Sequence, residues 1–486
     1  MIRASSSSQR EINHRRLILW LLVLMGISVA YFENGVGSGN STTRLALSLA
    51  IVERGALTID PLAEKTNDKA RLGEHYYADK APGISLLAVP VVALALPLFE
   101  HSGRAPVWFE GSVPTLPFAM LQYLVELFVS VFPLVLAVLF LYETALLLKA
   151  GATGALFAAL AFGLGTPAWG WATTIFGHST SAAFQFLALA AILHLDRNDS
   201  DANSARKLAL SFLAGLLLGY ALVVEFIAAI SAAMIALYGL RRLVVSERGI
   251  LPVSSALSAM IGGLVGITPL LIYNKLAFGS PFTLGYTHVV GFDGMKEGFY
   301  GIGLPDAKVA FAVLFGEYRG ILWISPILLA TPWAIFHLFK ERWDLATLIL
   351  GLSAYYVLVN AGYYYWDGGW STGPRHITPI LPFLCLPLAF LWRDASRRTR
   401  FALAGLLALS IALSLLCACV GMTAGPSPRL LLDYLFPEFK WGDWSGILLF
   451  QLKVLPPELT LLPLLLIWLA LALLWWSWVS RRADAS

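Results

Sequence analysis

Residues 73 to 99 read GEHYYADKAPGISLLAVPVVALALPLF, and whether the apolar half of this stretch crosses a membrane decides how everything after it is oriented. The run from 84 to 99 has 16 residues and is interrupted by Pro90 and Pro97. A crossing helix needs ~17 to 25 apolar residues, and an interior proline removes a backbone hydrogen bond. Basic clusters give an independent criterion. If the run does not cross, Arg197/Arg206/Lys207, Arg241/Arg242/Arg248, Lys340/Arg342, Arg393/Arg397/Arg398/Arg400 and Arg481/Arg482 all lie in the cytoplasm with the N-terminus; if it crosses, all lie outside. The positive-inside rule selects the first arrangement, with the 84–99 helix lying along the outer interface or dipping in and returning. That predicts 12 spanning helices with both termini cytoplasmic; the alternative is 13.

Composition sets the class. Of 486 residues, 58% are hydrophobic and 13% charged, with a mean hydropathy of +0.72; a soluble protein carries about 25% charged residues. The chain reads as an all-α polytopic membrane protein. A soluble enzyme, a disordered scaffold and a disulfide-built secreted domain are excluded, and a net charge of +4 is too small to argue for nucleic acid as a partner. Cys385, Cys417 and Cys419 all fall in apolar runs, where buried small residues are the default.

A basic tail, residues 1–16, precedes a first transmembrane helix at 17–32, which reads as a retained signal anchor. One large extracytoplasmic loop, 33–116, leads into a transmembrane bundle at 117–479, followed by a short tail at 480–486. Within the bundle, apolar runs are placed near 117–147, 152–168, 179–195, 254–276, 318–338, 344–362, 377–392, 400–421 and 459–479, with a two-helix hairpin at 207–241 turning near 219–225. Further outer loops fall near 277–317, 363–376 and 422–458. No internal repeat of the kind seen in many transporters is evident.

Chemistry is concentrated in the first loop, where residues 33 to 82 hold 13 of the 64 charged residues. Residues 42 to 52 have the periodicity of a short interfacial helix, capped by Asn40, Ser41 or Thr42 and stopped at Gly55. Beyond it stand Asp60, Asp68 and Asp79, with His75, Tyr76, Tyr77 and Lys80 close by. Carboxylates there can act as base, metal ligand or hydroxyl anchor, and a lysine can hold a phosphate as a point charge.

A second constellation is YYYWDGGWSTGPRH, residues 363 to 376. Its tyrosines and tryptophans are ordinary interface anchors. The glycines around Asp367, with Arg375 entering the next apolar run beside His376, describe a tight turn presenting a cation suited to a phosphate. His178 and Glu225 are further polar residues at membrane depth on the outer side, each with a plain structural reading as a satisfied buried group.

One helix, a long outer loop, the segment Gly73-Glu74-His75-Tyr76-Tyr77-Ala78-Asp79-Lys80-Ala81-Pro82 and then a proline-broken apolar helix together resemble the GT-C superfamily of membrane glycosyltransferases, in particular its dolichyl-phosphate-mannose and aminoarabinose-transferase-like enzymes. The resemblance implies a GT-C-like bundle that transfers a sugar from a polyprenyl-phosphate donor to an extracytoplasmic acceptor, in a bacterial-type cytoplasmic membrane. It assigns Lys80 to the lipid phosphate and an extracytoplasmic carboxylate to the acceptor. It leaves the cofactor unknown, a divalent cation being compatible. The family's usual Asp-Glu pair at the start of the loop helix is here Asn40 and Ser41, and an amide does not accept a proton at neutral pH. Asp79 is the first candidate to replace it and Asp60 the second, with Glu33 and Asp68 behind them; Arg375, His376, His178, Tyr76 and Tyr77 join Lys80 as binding candidates, and Asn40, Glu225 and Asp367 are secondary site candidates. The rival readings are a flippase or transporter of polyprenyl-linked lipid or sugar, and a catalytically inactive GT-C-like protein.

Overall fold

The computed structural model describes residues 2–100, 106–195, 204–246 and 250–483. The first helix, α1 (Ile2–Ala30), begins well before the apolar run and carries it to the first loop. There α2 (Gly39–Arg54) is opened by Ser38, whose hydroxyl accepts from the Ser41 amide, and closed by Gly55 at φ +61. The cap therefore lies two residues before the expected 40–42. Every residue of α2 from 40 to 50 is buried, so the helix is enclosed by protein and does not lie half-exposed in the interface as its periodicity suggested. Its chain continues into a hairpin of β1 (Lys69–Leu72) and β2 (His75–Ala78), whose two-residue turn is allowed by Gly73 at φ +61. Next comes α3 (Gly83–Phe99), containing Pro90 and Pro97 and too short to rank with the spanning helices.

Among the described residues, eight helical segments are long and apolar enough to cross a membrane. These are α4 (Leu116–Leu147), α7 (Ser204–Val224), Ala228–Val245 within α8 (Ala228–Ser246), Val253–Phe278 within α9 (Ile250–Phe278), α11 (Trp343–Gly362), α12 (Arg375–Asp394), α13 (Arg397–Val420), and Pro457–Trp478, which runs into α14 (Leu462–Ala483). Length and apolarity alone therefore do not reach twelve. The run expected at 152–168 is cut to α5 (Ala152–Gly163), and that at 318–338 breaks at Pro326 before α10 (Thr331–Glu341). The 179–195 run is α6 (Gly177–His194), an almost wholly buried helix rich in Ser, Thr and Gln. Arg197 and Arg248, two of the basic markers, lie outside the described residues.

Two local devices hold the frame that matters for chemistry. In α4, Pro133 cannot donate to the Val129 carbonyl; the helix widens into a π turn at Leu127–Val131, and Thr180 Oγ1 donates to that carbonyl at 2.7 Å. In α7 and α9, the glycine pairs 215/219 and 262/266 let the two backbones meet. A Cβ on Gly215 would collide with the Ala259 carbonyl, and one on Gly262 with that of Phe212. This contact fixes the α7–α8 turn, residues 225 to 227, where the expected hairpin turn ended. Below the turn Tyr356 Oη bonds Gln185 Nε2 at 2.9 Å and Ser231 Oγ at 3.0 Å, tying α11, α6 and α8 together.

Candidate functional site

A single guanidinium organises the loop end of the bundle. Arg44, in the middle of α2 and only 2% exposed, donates from Nε to Asn40 Oδ1 (2.8 Å), from Nη1 to the Ala81 carbonyl (3.2 Å) and from Nη2 to Glu225 Oε1 (3.2 Å). It thus joins α2, the segment after β2 and the α7–α8 turn. Glu225 Oε1 also lies 3.7 Å from His178 Nδ1, beyond hydrogen-bond reach, and that nitrogen has no partner. Gly177 makes room for this carboxylate, since a Cβ there would collide with it. Burial pushes the Glu225 carboxyl above its usual range, and Arg44 opposes the rise.

Beside Arg44 stands the Lys80 ammonium, which donates to Asp79 Oδ2 at 2.9 Å and meets Asp68 Oδ1 at 3.1 Å. Tyr286 and Phe292 lie over it, with ring centres 6.0 and 5.6 Å away. Burial disfavours its charge, but the carboxylates of Asp68 and Asp79 hold it well above the ordinary lysine range. Asp79 itself is 1% exposed; burial pushes it up to about 6 against the pull of Lys80, and its Oδ1 has no partner.

The start of α12 supplies the third wall. His376 packs edge-on against His178 (centroids 5.5 Å) and against Tyr363 (5.4 Å). Arg375 lies over the Phe176 ring at 5.4 Å, and its Nε has no hydrogen-bond partner. It contacts no carboxylate among the described residues. The loop before it is held by Asp367, which accepts from Tyr318 Oη (2.8 Å) and from the Gly369 amide (3.1 Å), and by the buried Arg319, which donates to the Gly369 carbonyl at 2.6 Å. Arg375, Arg44 and Lys80 all lie within electrostatic reach of His178.

Of the residues singled out in the sequence, Asp79, Lys80, Asp68, His178, Glu225, Arg375, His376 and Asn40 come together here. Others lie apart. Asp60 accepts from the Tyr76 amide (2.7 Å) and pairs with His75 (2.8 Å); burial opposes its charge, but these contacts keep its carboxyl below the usual range, and they secure the hairpin. Tyr76 lies under Lys69 and Arg71, and Tyr77 packs on Phe278. Glu33 is buried in a separate cluster, accepting from Gln122 Nε2 (2.7 Å) and the Gly35 amide (2.9 Å); burial pushes it up to about 7. Asp367 shapes the loop and does not face Lys80. Arg44 was missed by the sequence reading, although a lone arginine inside the run TTRLALSLA is the kind of buried charge that demands a partner.

No group of three His, Cys, Asp or Glu side chains converges to hold a metal ion among the described residues; Asp68 and Asp79 are turned to Lys80, so the donor set does not fit a divalent cation. Separately, an apolar cleft of about 410 Å3 runs between α3 and α9, lined by Leu86, Val265, Pro269, Ile272, Leu276 and Tyr273 among others. It adjoins the polar cluster through Tyr273, whose hydroxyl donates to the Ala78 carbonyl at 3.5 Å.

No protein-family model and no curated protein matches the chain. Among solved structures, ArnT from Cupriavidus metallidurans is similar, both in the apo state and bound to undecaprenyl phosphate, each with a TM-score of 0.48, 15% identity, and coverage of 85% of this chain and 65% of that one. The oligosaccharyltransferase of Archaeoglobus fulgidus in its apo form has a TM-score of 0.45 and 13% identity over 84% of this chain and 56% of that one. The chain spans slightly under two thirds of the ArnT chain it matches.

Proposed function

We propose that this protein is a GT-C-type membrane glycosyltransferase that takes a sugar from a polyprenyl-phosphate donor and transfers it to an acceptor on the outer side of a bacterial-type cytoplasmic membrane, with both termini inside. The observation that carries this reading is the convergence of Lys80, Arg44 and Arg375 with His178 and His376 on one polar cluster, next to an apolar cleft. Cations in a site of low dielectric suit an anionic headgroup, and an adjoining apolar surface suits an isoprenoid tail. In this reading Arg375, whose guanidinium lacks a carboxylate partner, meets the phosphate first. Lys80 follows, held in place by Asp79 and Asp68. Tyr363 and the exposed Trp370 offer faces to the sugar ring.

Catalysis needs the leaving phosphate stabilised and the acceptor hydroxyl deprotonated as its oxygen attacks. The cations serve the first need. The test is titration of the purified full-length protein with undecaprenyl phosphate, the lipid held in one of the similar solved structures, followed by incubation with undecaprenyl-phosphate monosaccharides and a bacterial envelope extract as the source of acceptor. Saturable binding and release of undecaprenyl phosphate are expected. Absence of binding would end the reading. Movement of labelled lipid across proteoliposomes with no glycosidic bond broken would turn it to a flippase.

A further inference from the structure

Position 40 on α2 carries an amide, and Asn40 Oδ1 is committed to Arg44 Nε at 2.8 Å. The other end of the same guanidinium holds the Glu225 carboxylate at 3.2 Å. One arginine therefore bridges the α2 position that lacks a carboxylate to a carboxylate delivered from a different part of the chain. We propose that Glu225 is the proton acceptor of this site, taking the proton of the acceptor nucleophile. The inference rests on the transferase reading above and adds a catalytic residue to it.

Four features of the structure support the assignment. Glu225 sits in the short break between α7 and α8, at the loop end of the bundle, and α7 is fixed by glycine contacts with α9 that leave the turn little freedom. The start of α6 is cut back at Gly177 to admit the carboxylate. The facing His178 Nδ1 is buried, unpartnered and 3.7 Å away, so the pair is open and neither group is consumed by the other. Finally, Asp79 and Asp68 share the single ammonium of Lys80, Asp60 is held in the hairpin, and Glu33 lies in its own cluster.

The step balances. The acceptor O–H gives its proton to Glu225 while the acceptor oxygen forms a bond to the anomeric carbon. The bond from that carbon to the phosphate oxygen breaks, and its electron pair leaves with the phosphate. The donor phosphodiester becomes a lipid phosphate monoester with one further negative charge, next to Arg375 and Lys80. The groups facing Glu225 are Arg44 on α2, Lys80 after β2, His178 on α6, Arg375 on α12, Tyr286 in the loop after α9 and Tyr356 on α11. Burial raises the Glu225 carboxyl, so activity rises as pH increases through a value above the ordinary carboxylate range.

The experiment uses full-length protein in detergent, a panel of undecaprenyl-phosphate monosaccharides, a bacterial envelope extract as the source of acceptor hydroxyls, and two variants. Glu225→Gln keeps the shape and removes the base; release of undecaprenyl phosphate is expected to fall about 100-fold or more, within the ~10²–10⁴ range of a general base, with affinity for undecaprenyl phosphate no weaker than that of wild type. Release by this variant at more than a third of the wild-type rate overturns the assignment and leaves the transferase reading standing. Wild-type binding without release from any member of the panel overturns it as well, and favours a lipid carrier. Absence of binding by the wild type removes both readings. Should the glutamine variant fail to fold, Glu225→Asp decides. A carboxylate one methylene back is expected to retain activity with its acidic limb displaced, and an acidic limb unchanged from wild type overturns the proposal.

Discussion

Removing Arg44 tests the centre of the site. Its side chain is 3% exposed and that of Glu225 12%. At their 3.2 Å separation, the attraction is about 5 kcal/mol for an effective dielectric of about 20. That is a gross figure, because both groups also lose their hydration. Arg44→Ala leaves a buried carboxylate without its cation, which costs about 3–5 kcal/mol, and strips donors from Asn40 Oδ1 and the Ala81 carbonyl. Glu225→Gln keeps Arg44 with two neutral acceptors and is expected to cost about 1–2 kcal/mol. The double variant has no buried unpaired charge, so it should be more stable than Arg44→Ala by about 1–2 kcal/mol instead of less stable, a coupling well outside ordinary additivity. Cys385, Cys417 and Cys419 are free and buried; a thiol-reactive dye therefore reports melting directly. For a chain of this length the single variant should lower the melting temperature by roughly 3–5 °C. If the two single losses simply add in the double variant, the ion pair does not organise this end of the bundle.

Other expectations follow from neighbouring groups. Glu33 is raised by burial from 4.5 to about 7, so its contribution is fully present below about pH 4.5 and is lost as pH rises through about 7; the interval corresponds to about 3 kcal/mol. Glu33→Gln should abolish that part of the slope, and parallel melting curves for variant and wild type from pH 5 to 8 would contradict it. Gly177→Ala pushes a methyl into the Glu225 carboxylate and should reduce turnover by at least about tenfold while leaving undecaprenyl phosphate affinity close to wild type; equal turnover would mean the carboxylate's place is not critical. Arg375→Gln should weaken undecaprenyl phosphate binding about tenfold or more, as expected for a charge-assisted contact of ~1.5–3 kcal/mol, and more than Lys80→Gln, since two carboxylates already offset Lys80; the reverse order in a titration would give the phosphate to Lys80.

The membrane bundle was legible because hydropathy is additive along the chain: α4, α7, α9, α11, α13 and α14 coincide with apolar runs. What the runs did not reveal is how far a helix is enclosed. α6 carries Ser179, Thr180, Ser181 and Gln185 because it faces protein, and α2 looks amphipathic yet is buried on all sides. The same limit applied to the site. Asp79, Lys80, Arg375, His376 and His178 stand out as polar letters in apolar surroundings, so each was found singly. Arg44 was not, because its importance lies in three contacts at sequence separations of 4, 37 and 181. Asp60 stands in the sequence as one of three loop carboxylates with Asp68 and Asp79, and only the hairpin, which brings His75 and the Tyr76 amide to it, sets it apart from them.

These contacts also explain how a buried site could tolerate the proposed transfer. Lys80 is matched by Asp68 and Asp79, Arg44 by Glu225, and Arg375 is left over. Three cations face three carboxylates, and a donor phosphodiester brings one negative charge to Arg375, the cation without a carboxylate in contact. When the sugar leaves, the phosphate gains a second negative charge at the moment Glu225 loses its own by accepting the proton. Arg44 is then released from its carboxylate as the new charge appears. The total charge of the cluster is the same before and after, so the low-dielectric surroundings need not absorb an uncompensated ion, whose cost would be several kcal/mol. A carboxylate remote from Arg44 could accept the proton but could not free that guanidinium. This coupling gives a physical reason for the base to sit on Arg44 instead of on Lys80, where neutralising Asp79 would still leave Asp68 holding the ammonium.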